Sequence, residues 1–190
     1  GFAEIASLRK LIGIGKIDLI VAQAESLLQS GAAVVFAHHR AVVDGVAEAL
    51  EASGHRVGLI VGGQSSSDRQ AVVDAFQAGD LDVIVASLDA AGVGITLHRA
   101  SQVVIGELPW TAAGQDQAID RVHRIGQDEP VTAWRIIAAN TIDTKIAELI
   151  DSKEGLSLRA LDGQAVDAAS SDSVQLAALM HLLRQALGEA

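Results

Sequence analysis

Residues 117–127 read Gln-Ala-Ile-Asp-Arg-Val-His-Arg-Ile-Gly-Gln, and this stretch is the most informative part of the chain for its fold. Their spacing predicts a helix on which Gln117, Arg121 and Arg124 lie along one face. The two guanidinium groups are then directed at one place. Such a pair suits the γ-phosphate of a nucleotide, because arginine stays charged and offers a planar fork of donors. The alternative is a solvated helix with two surface arginines.

Short runs rich in β-branched residues alternate with helical segments along the rest of the chain. The runs predict buried strands at 34–37, 57–61, 83–86, 103–105 and 133–137. The segments between and around them predict helices at 18–29, 41–52, 67–78, 111–124 and 142–153. Because helices that connect parallel strands cover the faces of the sheet, we predict an α/β fold with helices on both faces of a parallel sheet.

The composition fits one α/β domain of ordinary size and restricts the ways in which it can bind nucleic acid. The chain has 190 residues, 49% of them hydrophobic, and a formal net charge of -10. This charge argues against a broad basic surface, and an aromatic content of 3% argues against a platform for stacking bases. Any contact with DNA is therefore expected to be local. The absence of cysteine excludes disulfides and fits a reducing cytoplasm.

The two ends of the chain differ from its middle. No apolar run approaches the ~20 residues that a membrane helix needs, and the start lacks both an initiator Met and a basic leader, so we expect a soluble piece of a longer protein. We interpret residues 1–17 as a lead-in segment, 18–154 as the main domain and 155–190 as a C-terminal extension. Within the extension, 163–173 predicts a linker and 174–187 an amphipathic helix that packs on its own domain or docks on a partner.

Three short patterns resemble functional motifs and are rejected. The run Gly13-Ile14-Gly15-Lys16-Ile17 lacks the first glycine and the final hydroxyl of a phosphate loop. Gly92-Val93-Gly94 has Leu97 where a dinucleotide-binding fingerprint has its third glycine. The pair His38-His39 lacks the spacing and the carboxylates of a metal site. We therefore predict no metal ligands in this chain.

Four blocks in a fixed order carry a resemblance to a known family: 34–39, 62–76, 87–97 and 117–127. They look like motif IV, the block that follows it, motif V and motif VI of the second RecA-like lobe of SWI/SNF-like superfamily 2 helicase-like ATPases. The resemblance covers residues 16 to 154, and the string Asp-Arg-x-His-Arg-Ile-Gly-Gln is its most specific part. It implies a RecA-like three-layer fold with a mostly parallel central sheet flanked by helices, plus a C-terminal helical extension.

Two further features narrow this resemblance. The sequences of residues 36–40 and 107–111 are similar to those of the annealing-helicase branch of the family. The abundance of Ala, Val, Asp and Gly is typical of bacteria with a high GC content. We expect a bacterial protein of the annealing-helicase-like branch.

The resemblance implies an ATP site that this chain completes rather than contains. The sequence has no phosphate loop and no D-E-x-H box, so ATP and Mg²⁺ are expected to be held mainly by an N-terminal RecA-like lobe. Arg121 and Arg124 are implied as arginine fingers, and Gln117 as the residue that orients the helix or a water. Gly92 and Gly94 are implied as cofactor-binding residues whose backbone a phosphate can approach, a strained turn being the alternative.

The resemblance also implies contact with double-stranded DNA. The residues implied at that contact are His39, Arg40, Gly63, Ser65 and Trp110. Trp110 could instead be a core residue. Asp89 stands where many relatives carry Arg, Lys or Thr, and its carboxylate would repel a DNA phosphate.

The expected function is that of the second motor lobe of an ATP-dependent translocase or remodeller of double-stranded DNA. The isolated chain is expected not to hydrolyse ATP appreciably. The expected location is the cytoplasm, in association with a bacterial nucleoid, or the nucleus if the source is eukaryotic. The alternatives are a lobe of a superfamily 2 RNA helicase and a non-catalytic protein-interaction module.

Overall fold

The computed structural model describes residues 2–91 and 94–161 of the chain. Within these residues, five parallel strands form one sheet. They are β1 (Ala33–Ala37), β2 (Val57–Ile60), β3 (Val83–Ser87), β4 (Gln102–Ile105) and β5 (Thr132–Arg135). Their order across the sheet is β2-β3-β1-β4-β5. The predicted parallel sheet is therefore confirmed.

Helices connect and precede these strands in the described residues. They are α1 (Phe2–Gly15), α2 (Ile17–Leu28), α3 (Arg40–Ala52), α4 (Ser66–Ala78), α5 (Leu88–Ala91), α6 (Ala112–Asp120) and α7 (Ile142–Leu161). None of them is long and apolar enough to cross a membrane. Helix α1 occupies most of the predicted lead-in segment, and α7 continues past the predicted end of the main domain. The predicted linker and terminal helix at 163–187 lie outside the described residues.

The sheet has an apolar core on each face because its strands alternate their side chains between the two faces. Val34, Phe36 and Ile84 pack on one face with helices α4 and α7 and the end of α6. Val35 and Val85 pack on the opposite face with α2 and α3. The predicted arrangement of helices on both faces is thereby confirmed.

Helices α1 and α2 meet at a buried lysine. The Nζ atom of Lys16 lies 2.5 Å from Oδ2 of Asp143 on α7 and donates to the Ile136 carbonyl oxygen at 2.8 Å. Lys16 is only 2% exposed. The rejected phosphate-loop pattern is therefore a helix junction, and its lysine forms a buried ion pair.

Candidate functional site

Helix α6 carries the first part of segment 117–127 and ends earlier than the sequence predicts. It stops at Asp120, so the prediction of a helix through Arg124 is wrong. The carbonyl oxygen of Arg121 accepts a hydrogen bond from the Leu97 amide at 2.8 Å. An α-helix needs that carbonyl for the amide four residues further on. The contact with Leu97 therefore favours the end of the helix at this point.

The side chains predicted to be catalytic are placed by different elements. Gln117 is exposed on α6, and Arg121, the residue that follows its last turn, is half-buried. Arg124 lies in a turn beyond the helix, is exposed, and donates from Nε to the Asp120 carbonyl oxygen at 3.2 Å. Helical spacing relates Gln117 to Arg121 but not to Arg124. The predicted single helix face with all three side chains is wrong.

The turn that carries Arg124 is fixed to the segment that precedes β4. The side-chain amide of Gln127 donates to the carbonyl oxygens of His98, at 2.8 Å, and Ala100. Gly126 has a φ of +99°, and a Cβ atom there would lie 3.6 Å from the His98 ring. Only glycine adopts this conformation without strain. These contacts hold the turn in place while Arg124 stays exposed.

Motif V and motif VI meet at an open depression of about 640 Å³. Its described lining residues are Thr96 from motif V, and His123, Arg124 and Ile125 from motif VI. Ile125 is fully exposed. An exposed apolar side chain beside an exposed guanidinium is suited to contact another surface.

Of the two glycines predicted to bind the cofactor, Gly92 and Gly94, the structure describes only Gly94. Gly94 is exposed with a φ of +57°, and no heavy atom lies within 4 Å of the position of a Cβ there. The positive φ explains the glycine through the turn itself, while the open space leaves room for a phosphate. Gly92 lies outside the described residues. Both predictions therefore stay open.

The residues predicted to bind DNA follow the carboxyl ends of parallel strands, so they lie along one edge of the sheet. His39 lies between β1 and α3, and Arg40 is the first residue of α3. His39 is half-buried, with Nδ1 at 2.6 Å from Oε1 of Glu107. Arg40 is exposed and forms an ion pair with Asp44 at 2.7 Å.

Gly63 and Ser65 lie between β2 and α4, and both shape that connection. Gly63 is exposed with a φ of +87°. Ser65 is the N-cap of α4, and its hydroxyl accepts a hydrogen bond from the Asp68 amide at 3.0 Å. The structure therefore gives each residue a role in the fold, and their predicted contact with DNA stays a prediction.

Trp110 is half-buried and packs against the apolar core. The guanidinium of Arg9, on α1, lies over its ring with Cζ 4.2 Å from the centroid. Arg9 also donates to the Leu108 carbonyl oxygen and is only 6% exposed. Burial lowers the pKa of Arg9, and the charges of Glu107 and Asp143 oppose this shift. These contacts favour the core role for Trp110.

Glu107 and Arg9 were not predicted from the sequence as site residues, and the structure places them near each other at the carboxyl end of β4. Glu107 is 4% exposed, and its Oε2 accepts hydrogen bonds from the amides of His38 and His39, both at 2.8 Å. The sequence feature that could have indicated Glu107 is its position as a single glutamate between an apolar strand and Leu108. Such a position predicts a buried carboxylate that needs partners.

His38 lies in a mixed electrostatic environment. Burial lowers its pKa most, the charges of Arg9 and His39 lower it further, and those of Asp89 and Glu107 oppose the shift. Asp89 is itself exposed at the start of α5. Its carboxylate is therefore placed beside the edge where DNA contact is predicted.

Comparison with known families identifies the domain. Residues 15–126 match the model of the helicase conserved C-terminal domain. The chain belongs to this family. The match covers the segments that carry motifs IV and V and all but the last residue of motif VI. Together with the SWI/SNF-related relatives described next, it confirms the resemblance to the second lobe of SWI/SNF-like helicases.

Curated relatives of this helicase C-terminal domain are much longer proteins. A SWI/SNF-related matrix-associated actin-dependent regulator of chromatin subfamily A-like protein 1 from Xenopus tropicalis is 38% identical over 73% of this chain and 15% of its own length. The human DNA annealing helicase and endonuclease ZRANB3 is 34% identical over 84% of this chain and 15% of its own length. The chain thus spans about 15% of these relatives.

Solved structures confirm the RecA-like fold of this domain. The C-terminal part of the Fun30 ATPase domain has a TM-score of 0.71 and 24% identity, covering 92% of this chain and 54% of that one. The C-terminal domain of the DEAD-box protein Dbp5 has a TM-score of 0.62 and 22% identity, covering 74% of this chain and 78% of that one. At these identities the likeness concerns the fold alone.

Proposed function

We propose that this helicase C-terminal domain is the second motor lobe of an ATP-dependent translocase on double-stranded DNA. Arg124, together with Arg121, reaches the γ-phosphate of ATP that an N-terminal lobe of the same parent protein holds. The observation that carries this proposal is the exposed guanidinium of Arg124 on a turn fixed by tertiary hydrogen bonds. A cation held in this way can act across a cleft without first being ordered.

The described residues fit a phosphate better than a metal ion. Arg124 offers an exposed fork of donors, which matches phosphate oxygens. Among residues 2–91 and 94–161, no group of three or more His, Asp or Glu side chains is placed to hold a metal ion. ATP, when bound, supplies the phosphoanhydride bond that is hydrolysed. The part of this chain is to neutralise charge on the γ-phosphoryl oxygens, while Mg²⁺ is proposed to lie on the companion lobe.

The assignment of double-stranded DNA rests on the relatives and on the edge of the sheet. One relative is named a DNA annealing helicase and another a regulator of chromatin. Along the carboxyl edge, the exposed Arg40 could contact a phosphate after exchanging its partner Asp44. The net charge of -10 confines such contact to this local region. Asp89 is proposed to weaken it.

The test is DNA-stimulated ATP hydrolysis by the parent protein that contains this lobe. Arg124→Ala is expected to lower kcat by ~10³-fold or more, the range seen where arginine fingers are known. Arg124→Lys keeps the charge without the planar fork and is expected to fall between that variant and the wild type. Arg56→Ala is the matched control, because Arg56 is also an exposed arginine. It pairs with Asp82 and lies just before β2, away from motif VI. Unchanged turnover in Arg124→Ala would refute the finger assignment.

The nucleic acid is tested in the same assay by comparing duplex DNA, single-stranded DNA and RNA. Duplex DNA is expected to stimulate the wild-type parent most. Stronger stimulation by RNA would favour an RNA helicase. A parent in which Arg121 and Arg124 are dispensable, and which loses a protein partner on removal of residues 174–190, would instead be an interaction module.

A further inference from the structure

Glu107, which lies just after β4, forms hydrogen bonds to the turn between β1 and α3. Its Oε2 accepts the amide hydrogens of His38 and His39 at 2.8 Å, and its Oε1 lies 2.6 Å from Nδ1 of His39. The side chain of His39, at the N-cap position of α3, makes no capping hydrogen bond. One buried carboxylate thus fixes both the backbone of this turn and the imidazole that projects from it.

The contact with Glu107 determines how the His39 ring is presented. A carboxylate oxygen accepts, so the hydrogen lies on Nδ1, and the opposite atom Nε2 faces away from Glu107. Nε2 forms no hydrogen bond within the part of the chain that the structure describes, and the His39 side chain is 19% exposed. A neutral ring therefore presents an acceptor at Nε2, and a doubly protonated ring presents a donor.

The surrounding elements leave space for this arrangement. A Cβ atom on Gly13 of α1 would lie 2.8 Å from Cδ of Glu107 and 2.9 Å from a methyl carbon of Val42. Distances below 3 Å are not tolerated, so α1 approaches the carboxylate only because residue 13 is glycine. The position of Glu107 is thus set by three segments of the chain: α1, β4 and α3.

We propose that Glu107 is a positioning residue that holds His39 so that its doubly protonated ring links the Glu107 carboxylate to a phosphodiester oxygen of double-stranded DNA. This inference rests on the proposed function and adds a residue and a protonation step to it. One proton from solvent is taken up at Nε2 when the phosphate binds. No covalent bond forms or breaks.

The charges around the ring act in both directions. The His38 ring lies 4.7 Å from the His39 ring between centroids, and the neighbouring Arg40 is paired with Asp44. The Glu107 carboxylate contacts the ring directly. A phosphate adds negative charge on the exposed side. Protonation and DNA binding therefore reinforce each other, and DNA affinity should rise as the pH falls from 8 to 6.

Two variants separate this role from a purely structural one. In His39→Asn, the side-chain amide nitrogen takes the place of Nδ1 and keeps the contact with Glu107, but nothing replaces Nε2. In Glu107→Gln, the shape is kept while one of the two acceptor oxygens is lost. His55→Asn is the matched control, because His55 lies at the opposite edge of the sheet, 3.9 Å from Glu25.

The first measurement is the DNA concentration that gives half-maximal ATPase stimulation of the parent at pH 6, 7 and 8. His39→Asn and Glu107→Gln are expected to raise it roughly tenfold at pH 6, the value of one hydrogen bond to a charged group. They should leave kcat at saturating DNA unchanged and flatten the pH profile. His55→Asn should follow the wild type. Parallel profiles in His39→Asn and the wild type would overturn the proposal.

The second measurement is the ¹⁵N NMR spectrum of the histidine rings in the 190-residue chain itself. At pH 8 the His39 ring is expected to carry its hydrogen on Nδ1, and Glu107→Gln should shift hydrogen towards Nε2. An Nε2-protonated ring in the wild type would overturn the positioning role. A parent that DNA does not stimulate would refute the proposed function and the phosphate contact together, while the spectrum still decides whether Glu107 orients His39.

Discussion

The two ends of strand β4 use charged side chains in opposite ways. At its carboxyl end, Glu107 and Arg9 are buried and bonded to neighbouring segments. At its amino end, the segment before the strand anchors a turn from which Arg124 projects into solvent. Four residues of strand, on the order of 13 Å, separate the two.

This difference shows that burial and pairing, rather than residue type, separate a structural cation from a functional candidate. Arg9 and Lys16 are buried with partners inside the domain, so their contacts account for their presence. Arg124 bonds only to the backbone of its own turn among the contacts described for it. The comparison predicts large losses of stability at the carboxyl end and small ones at the amino end.

The largest expected effect on stability comes from breaking the buried pair beside the carboxyl edge. Lys16→Met leaves Asp143 buried without its cation, and this is expected to lower the free energy of unfolding by about 3–5 kcal/mol. Urea unfolding followed by the fluorescence of Trp110 and Trp134 measures the change.

The control for that prediction is Lys145→Met, since Lys145 forms an exposed pair with Glu148. It should change the free energy of unfolding by less than about 0.5 kcal/mol. The double variant Lys16→Met with Asp143→Leu should recover much of the loss, because both charges are then gone. Equal effects of Lys16→Met and Lys145→Met would contradict the contrast between buried and exposed charges.

A smaller effect concerns the pH dependence of stability at His38. Its pKa is lowered in the folded state, mainly by burial, so His38 binds a proton more readily in the unfolded chain than in the folded one. The free energy of unfolding is therefore expected to fall as the pH drops below about 6.5, the ordinary histidine value. Unfolding at pH 7.5 and 5.5 should show a weaker dependence in His38→Asn than in the wild type. An identical dependence would count against the assignment.

The smallest effect on stability is expected at the amino end of β4. Arg124→Ala should change the free energy of unfolding by no more than about 0.5 kcal/mol, because the side chain is exposed and its one described hydrogen bond is local. The same urea titration measures it in the isolated chain. Loss of more than 2 kcal/mol would mean that Arg124 supports the fold, and the comparison between the two ends would then fail.

The sequence predicted most of the framework because apolar periodicity is local. The helix predicted at 41–52 is α3, and the strands predicted at 83–86 and 103–105 are β3 and β4 to within a residue. Helix α1 was not predicted, since its buried positions include Arg9, which does not register as an apolar residue. The end of α6 was misplaced because the bond from Leu97 to Arg121 joins residues far apart in the chain.

The candidate site was predicted in part for the same reason. Arg124 is exposed as its predicted role requires, and its motif identified the family. Trp110 was predicted at the DNA contact, with the core as the alternative, and a contact from α1 favours the core. Glu107 was missed because its partners, His38 and His39, follow another strand, β1, and lie far from Glu107 in the chain.

The sequence by itself determined most of the elements, their parallel arrangement and the family, because strand and helix periodicities and one specific motif are properties of short segments. Only the tertiary structure decided which charges are buried and which reach solvent. The sequence alone does not show that the charge of Lys16 is buried while that of Arg124 is exposed. Asp143 forms a buried ion pair with Lys16 in the core. The hydrogen bond from the Leu97 amide to the Arg121 carbonyl ends α6 before Arg124, which stays exposed. The difference arises because burial depends on what packs around a side chain and not on its neighbours in the chain.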